Sequence, residues 1–155
     1  DIVSVAKGIG NGFPLAACLT VEKVSAAMTP GSHGSTYGSN PLAMAVGNAV
    51  LDVLLADGFF AHVREMGALL RSGLEALTAE FPGGIVEIRG EGLMLGIKTR
   101  TPAVEVAAQL RSQGLLTAPA EDSVIRIVPP LIIERQHVEE ALSIFAHTMR
   151  EARAA

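Results

Sequence analysis

Residues 59–81 repeat apolar side chains at spacings of three and four, and this pattern most limits what the chain can fold into. Charged residues such as Arg64 and Glu75 fall between the apolar positions, as on a helix with one buried face. An apolar face of this kind needs a second layer to cover it, so the pattern predicts a packed domain. The side chains predicted to be buried are Phe59, Val63, Met66, Leu70, Leu74, Leu77 and Phe81.

The segments that follow this helix supply the second layer. Short apolar runs separated by Gly and Pro alternate there with weaker helical patterns. The order helix, two strands, helix, two strands, helix predicts a self-sufficient α/β domain over residues 57–155. The predicted elements are strands IVEIRG and LMLGIK around the turn-like Gly90-Glu91-Gly92, a helix from Pro102 to Gln113, strands at 115–118 and 124–128, and a helix from about Arg135.

Residues 1–56 contain too few strands for an independent domain. IVSVA (2–6) and LAACLT (15–20) predict two short buried strands, and residues 21–28 predict a short helix. Asn40-Pro41 predicts the start of a helix that is apolar nearly all round and therefore needs cover on most sides. We therefore expect this segment to belong to a larger fold, with further sequence upstream of Asp1.

Charge and composition exclude several classes of partner. The net charge is −4 without a basic run, and aromatic residues make up 4% of the chain, so neither nucleic acid nor anionic lipid is an expected partner. No apolar run approaches the roughly 18 residues needed to cross a bilayer. The single cysteine, Cys18, cannot form an internal disulfide, and no signal-type segment begins the chain, which favours the cytoplasm. The histidines lack zinc-like spacing, so no metal is expected.

Lys7 is the first candidate for chemistry. It follows an apolar strand and stands among Gly8, Gly10 and Gly12, so a flat ligand could approach it without obstruction by side chains. A lysine amine in such surroundings can attack an aldehyde. The alternative is a surface lysine at the end of a strand.

The stretch 30–43 is the second candidate. It places the hydroxyls of Ser35 and Thr36 in a glycine-rich loop that leads into the helix start at Asn40-Pro41. Free backbone amides, a hydroxyl and the positive end of a helix together favour a phosphate. The alternative is an ordinary polar loop before a capped helix.

Together the two segments closely resemble the class-III, ornithine-type aminotransferases. The resemblance is carried by AKGIGNGFPLAA (6–17) and HGSTYGSNPLA (33–43) and continues through RGEGLMLGI (89–97) and VIRIVPPLIIERQHVEEAL (124–142). It implies a fold-type I transferase that depends on pyridoxal 5'-phosphate. Residues 1–56 would then be the end of the large cofactor-binding domain with the interdomain helix, and residues 57–155 the smaller C-terminal α/β domain.

The resemblance also implies roles for individual residues. Lys7 corresponds to the lysine that binds the cofactor covalently and then moves a proton during catalysis. Thr36 corresponds to a phosphate-binding threonine and Ser35 to a residue lining the substrate site, and in the family both reach into the neighbouring subunit. A homodimer with shared active sites is therefore implied. Arg126 corresponds to an arginine of the substrate-carboxylate region, although an arginine on a buried strand could instead form a structural salt bridge. Arg89 is interpreted as structural.

The implied substrates are an amino acid and a 2-oxo acid, and the implied reaction transfers an amino group between N-acetylornithine and 2-oxoglutarate in arginine biosynthesis. Ornithine, 4-aminobutyrate or a succinylated diamino acid remain alternative donors, and a non-catalytic assembly module remains an alternative of another class. The family's ring-nitrogen aspartate, stacking aromatic and phosphate loop lie upstream, so these 155 residues alone are expected to be inactive. Ser32 stands where threonine is common, and Ser39 where glycine is common, which matters if Ser39 needs a positive φ.

Overall fold

The computed structural model describes residues 1–154, with side chains as far as Glu151, and divides the chain into two compact units, Asp1–Phe59 and Phe60–Ala155. The first unit contains a two-stranded antiparallel sheet and two helices. Its strands pair in a register that sets Ile2 opposite Thr20 and Ala6 opposite Ala16. The elements are β1 (Ile2–Ala6), a 3-10 turn (Lys7–Ile9), β2 (Ala16–Thr20), α1 (Glu22–Ser25) and α2 (Pro41–Leu54).

The start of α2 confirms the predicted cap. Pro41 is the first helical residue, and the Asn40 side-chain oxygen accepts a hydrogen bond from the Ala43 backbone amide at 2.9 Å. This bond satisfies one of the amides that a helix leaves free at its N-terminus. The helix predicted at 21–28 is shorter than expected, because α1 covers only Glu22–Ser25.

The strands of the first unit, which are predicted to be buried within a larger fold, are largely exposed in this chain. Ile2, Val3 and Leu19 are each more than half exposed, and Cys18 is exposed as well. The reason is that β1 and β2 pair only with each other, so each keeps one unpaired edge and little of the unit covers their faces. Cys18 is therefore not the small core residue that its apolar surroundings indicate.

The second unit contains three long helices and a four-stranded sheet, in the predicted order. The strand predicted at 115–118 is displaced, since the paired residues begin at Ala118 and Leu116 is 78% exposed. The predicted strand IVEIRG extends one residue further, to Glu91. The elements are α3 (Phe59–Glu80), β3 (Ile85–Glu91), β4 (Met94–Thr99), α4 (Ala103–Ser112), β5 (Ala118–Ala120), β6 (Val124–Ile127) and α5 (Arg135–Ala154).

The sheet has the order β3-β4-β6-β5, and all its neighbouring strands are antiparallel. Its side chains alternate between two faces, and one face carries Leu95, Ile97 and Ile125, which are fully buried. All three helices contribute to the core on that face. Besides these strand residues the core includes Met66, Leu70, Leu74, Leu77 and Phe81, Val106 and Leu110, and Val138, Phe145 and Met149. The predicted buried stripe of α3 is confirmed from Met66 onward.

The close approach of α3 to the β3–β4 turn depends on a glycine. A Cβ atom added at Gly67 would lie 2.8 Å from the carbonyl carbon of Gly92 and 2.9 Å from its oxygen. Both contacts are with backbone, which cannot rotate away as a side chain can. Gly67 is buried within α3, so the helix can rest on this turn only where no side chain intervenes.

The substitution Gly67→Ala is expected to lower the free energy of unfolding by up to about 2 kcal/mol, because an overpacking cost of about 1–3 kcal/mol is set against a gain of about 1 kcal/mol in helix propensity. Urea denaturation followed by circular dichroism measures the effect. Gly73→Ala is the matched control in the same helix, since its added Cβ would meet side-chain atoms of Leu142, which can rotate away, and no backbone atom. Equal or greater loss in Gly73→Ala would contradict the backbone contact as the cause.

Candidate active site

Lys7 lies directly after β1, in the 3-10 turn Lys7–Ile9, and its side chain is exposed. Its φ is 56°, in the left-handed region that non-glycine residues rarely adopt. Such a conformation costs of order 1 kcal/mol or more and persists only where the surroundings impose it. The turn therefore holds this lysine in a strained position at the end of a strand.

The turn is fixed by hydrogen bonds and by packing. The amide of Gly10 donates to the carbonyl of Lys7 at 3.0 Å, and the amide of Phe13 donates to the carbonyl of Gly10 at 2.9 Å. Gly10 is buried, and a Cβ added there would collide with the Phe13 carbonyl. Leu15 lies against Gly47 of α2, where an added Cβ would come within 2.9 Å of its side chain, and the turn itself lies against α2. These contacts account for the constraint on Lys7.

The space beside Lys7 is open. A Cβ added at Gly8 or at Gly12 would meet nothing within 4 Å. Gly12 also has a φ of 103°, a conformation that L side chains rarely adopt. Of the three glycines in this segment, only Gly10 is therefore required by close packing, and the other two leave the backbone around the lysine accessible to a ligand.

The loop before α2 presents two hydroxyls without partners. Ser35 and Thr36 are exposed, and neither side-chain oxygen makes a hydrogen bond within the described residues. The loop is tied to the helix by Asn40, whose side-chain nitrogen donates to the carbonyl of Tyr37 at 2.9 Å. Ser39 has a φ of 55°, which confirms that this position requires the left-handed conformation that glycine adopts more readily.

Arg126 lies on the face of the sheet that the helices do not cover. It is in the middle of β6, opposite Gly96 on β4 and Ala118 on β5. The structural salt bridge that the sequence left open as an alternative for Arg126 is not formed within the described residues. The Arg126 side chain is exposed, and among the described residues no carboxylate lies within 4.0 Å of its guanidinium. Both cross-strand neighbours are small, although the stem of the Arg89 side chain passes over Gly96.

Arg126 also lines a cleft of about 540 Å³ in the second unit. Most of the cleft wall is apolar and comes from residues 114–118, from residues 127–133 and from α5. The Thr117 hydroxyl on this wall is buried and has no hydrogen-bond partner among the described residues. A buried polar atom without a partner is uncommon and is satisfied by a water or a ligand. Within the described residues, the cleft thus combines the Arg126 guanidinium, which has no carboxylate within 4.0 Å, with the Thr117 hydroxyl, which has no hydrogen-bond partner.

The sequence reasoning identified Arg89 as structural but missed its partner. Arg89 is on β3, in the same cross-strand row as Gly96 and Arg126, and its guanidinium lies 3.0 Å from a carboxylate oxygen of Glu121. The two residues are 32 positions apart. A pattern of neighbouring residues cannot indicate an ion pair between residues so far apart in the sequence.

The candidate residues divide between the two units. The first unit contains Lys7, Ser35 and Thr36, and the second contains Arg89, Glu121 and Arg126.

Two other kinds of site were sought in the described part of the chain. Residues 1–154 contain no group of three or more His, Cys, Asp or Glu side chains able to hold a metal ion. Over the same residues, no single helix is long and apolar enough to cross a membrane. The consecutive helices α2 and α3, which are separated by a bend, reach the required length and apolar composition only when they are counted together.

Comparison with known proteins defines the class to which this arrangement belongs. The aminotransferase class-III family model matches residues 1–149. The chain is therefore a member of the class-III aminotransferase family, whose members depend on pyridoxal 5'-phosphate. Its mixed α/β structure matches solved structures of such enzymes, which confirms the predicted fold class.

The family members that resemble this chain include acetylornithine and ornithine aminotransferases. The chain is 54% identical over 143 residues to the acetylornithine aminotransferase of Agrobacterium fabrum, a match covering 92% of this chain and 36% of that protein. The structure of acetylornithine aminotransferase from Elizabethkingia anophelis is 32% identical with a TM-score of 0.91, covering 97% of this chain and 41% of that one. An ornithine aminotransferase structure from Toxoplasma gondii, described with partial occupancy of PLP at its active site, is 30% identical with a TM-score of 0.91, covering 100% and 38%. The chain thus spans little more than a third of the length of these relatives.

Replacing Asn40 by Ala is expected to lower the free energy of unfolding by about 1 kcal/mol, because α2 loses its N-terminal cap. Asn40→Ser keeps an oxygen that can cap the helix but loses the bond to the Tyr37 carbonyl, so it is expected to retain most of the stability. Chemical denaturation of both variants measures the difference. If the serine variant were as unstable as the alanine variant, the tie to Tyr37, and not the cap, would carry the energy.

Proposed function

We propose that the protein containing this chain transfers the amino group of N-acetylornithine to 2-oxoglutarate, with pyridoxal 5'-phosphate as cofactor. The observation that carries the proposal is Lys7, held at a φ of 56° at the end of β1 with open space beside it. The donor is inferred from acetylornithine aminotransferases that share 44–54% identity with this chain, including those of Agrobacterium fabrum and Bacillus subtilis. The pathway is then arginine biosynthesis.

The residues present fit the cofactor. Lys7 offers an amine on an exposed turn, and the open space at Gly8 and Gly12 admits a flat ring without collision. Thr36 and Ser35 have hydroxyls without partners in the described residues, at the approach to the N-terminus of α2. Hydroxyls and amides near a helix N-terminus favour a phosphate group. Thr36 is assigned to the phosphate and Ser35 to the substrate side of the site.

In this scheme Lys7 has two tasks. Its amine binds the cofactor covalently between turnovers, and it takes the proton from the carbon that carries the substrate's amino group. The cofactor, when bound, supplies the electron sink that makes this proton acidic. The strained turn fixes the direction in which the Lys7 side chain leaves the backbone.

Arg126 is assigned to the carboxylate of the substrate. A guanidinium binds a carboxylate through two parallel hydrogen bonds, and the Arg126 guanidinium has no competing carboxylate within 4.0 Å among the described residues. The apolar cleft of about 540 Å³ beside it and the unpartnered Thr117 hydroxyl support a ligand that has both a polar end and an aliphatic chain. Both proposed substrates have such a chain.

The protein is proposed to act as a homodimer in the cytoplasm, with Ser35 and Thr36 contributing to the neighbouring subunit's site. Exposed apolar residues on α2 need cover by further protein, which the rest of the longer chain or the neighbouring subunit provides. They are Leu42, Met44, Leu51 and Val53. Residues 1–56 are assigned to the end of the large cofactor-binding domain and residues 57–155 to the small domain. These 155 residues alone are proposed to be inactive, since they span about 36% of the relative's length.

Borohydride reduction of the cofactor-loaded protein, followed by peptide mapping, is expected to find the pyridoxyl mass on the peptide that contains Lys7. The other two lysines of this chain, Lys23 and Lys98, are internal controls that should remain unlabelled. Lys7→Arg keeps the charge but removes the nucleophilic amine, so activity is expected to fall by about 10³-fold or more. Trapping on another lysine, or normal turnover by Lys7→Arg, would contradict the proposal.

A panel of amino donors tests the substrate assignment separately. N-acetylornithine is expected to give a kcat/KM at least about tenfold higher than ornithine or 4-aminobutyrate, the kind of discrimination that one additional recognised group provides. The acceptor 2-oxoglutarate is kept constant and saturating. If ornithine gives the higher value, the donor assignment is wrong while the role of Lys7 stands.

A further inference from the structure

The residues that α2 buries are small. They are Ala43 and Gly47, which are four positions apart and therefore lie on one face of the helix. The 3-10 turn that begins at Lys7 lies against this helix. Glycine is among the least favourable residues in a helix interior, so a glycine at position 47 is explained by close packing and not by helix propensity. A face without large side chains lets the backbone that carries the lysine approach α2 closely.

Leu15 fills the space between α2 and the segment that carries the lysine. A Cβ atom added at Gly47 would lie 2.9 Å from Cδ2 of Leu15, and one added at Gly10 would lie 2.9 Å from Cβ of Leu15. Both glycines are buried, and neither position has room for a side chain beside the leucine. Leu15 thus contacts α2 with the end of its side chain and the lysine segment with its base.

Leu15 is also placed opposite the lysine. The last pair of the β1–β2 hairpin is Ala6 with Ala16, so Lys7 and Leu15 are the next residues on the two strands. Between them the chain forms hydrogen-bonded turns, in which the amide of Gly10 donates to the carbonyl of Lys7 at 3.0 Å. The base of this loop is held by the strand pairing on one side and by the packing of Leu15 against α2 on the other. A displacement of Leu15 therefore changes the backbone at Lys7 directly.

We infer that Leu15 is a positioning residue: its contact with α2 holds the turn in the strained conformation that sets the direction of the Lys7 side chain. The inference rests on the proposed function, in which the Lys7 amine condenses with the aldehyde of the cofactor and releases water. A residue with a φ of 56° relaxes to a negative φ when its surroundings no longer impose the strain. This rotation turns the Cα–Cβ bond of Lys7 away from its present direction and leaves the chemistry of the amine unchanged. Leu15 acts through the lysine.

The rate of covalent attachment tests the inference. Pyridoxal 5'-phosphate is added to the full-length protein from which the cofactor has been removed, and the absorbance of the cofactor is followed. Leu15→Ala removes the contact with Gly47 and is expected to slow attachment by about 3- to 10-fold, because fewer molecules hold the turn in the strained conformation. In the cofactor-loaded enzyme kcat is expected to fall by a similar factor, while KM for the amino donor changes by less than about twofold, since the contacts that bind the substrate are kept.

Three further variants separate positioning from a general loss of stability. Leu15→Met keeps an apolar side chain of similar volume and is expected to leave the attachment rate and kcat within about twofold of the natural values. Leu15→Val keeps the Cβ beside Gly10 but lacks the atom that contacts Gly47, so it is expected to slow attachment by about 2- to 5-fold. Val106→Ala removes methyl groups from the core of the second unit and is expected to lower stability while changing the attachment rate by less than about twofold. Natural rates in both Leu15→Ala and Leu15→Val, or an equal fall in Val106→Ala, would overturn the inference.

Hydrogen exchange distinguishes failure of this inference from failure of the proposed function. In the cofactor-free protein, the peptide with the amides of Gly10 and Phe13 is expected to exchange about 3- to 10-fold faster in Leu15→Ala, because these amides close the turns after Lys7. Unchanged exchange would overturn the inference, whichever lysine binds the cofactor. If borohydride labelling of the natural protein finds the cofactor on a lysine other than Lys7, the proposed function is wrong, while faster exchange still supports the role of Leu15 in holding the turn.

Discussion

The alternation of side chains along β6 is the constraint on which the second unit depends. Ile125 and Ile127 are buried in the core, and the backbone geometry of a strand then places Arg126 on the opposite face. A shift of register by one residue would expose both isoleucines, at about 1.5–3 kcal/mol each, and would bury a guanidinium without a partner. The core therefore fixes the position of the arginine, and the same alternation on β3 places Arg89 on the same face, with β4 between the two.

The sequence predicted the helices and most strands of this unit because their patterns are local. The apolar spacing of Met66, Leu70 and Leu74 is visible within a few turns of α3, and all three are buried. The environment of Arg126 could not be predicted in the same way. The apolar residues on both sides of it indicate a strand buried on both faces, yet the sheet is covered on one face only. Whether the second face of the sheet is covered depends on how many layers the domain has. No single segment of the sequence specifies the number of layers.

In the candidate site of the first unit, too, features set by neighbouring residues could be predicted from the sequence, whereas features set by packing between distant residues could not. Gly8 and Gly12 leave open space beside Lys7, as the sequence indicated, whereas Gly10 is required by packing. Ser39, which stands where glycine is common, does have a positive φ. The strain at Lys7 itself could not be inferred, because it results from the packing of Leu15 and the 3-10 turn against α2. Cys18 has apolar neighbours in the sequence, yet it is exposed in this chain, because its burial depends on which strands pair with β2.

The ion pair between Arg89 and Glu121 contributes too little energy to explain its own geometry. Its side chains are 49% and 71% exposed, and pairs of that exposure contribute about 0–1 kcal/mol to stability. The glutamate's left-handed backbone costs an amount of similar size, so folding gains almost nothing from placing a carboxylate there. What the placement does change is the charge of the sheet face, where Arg126 is the arginine that has no carboxylate within 4.0 Å among the described residues.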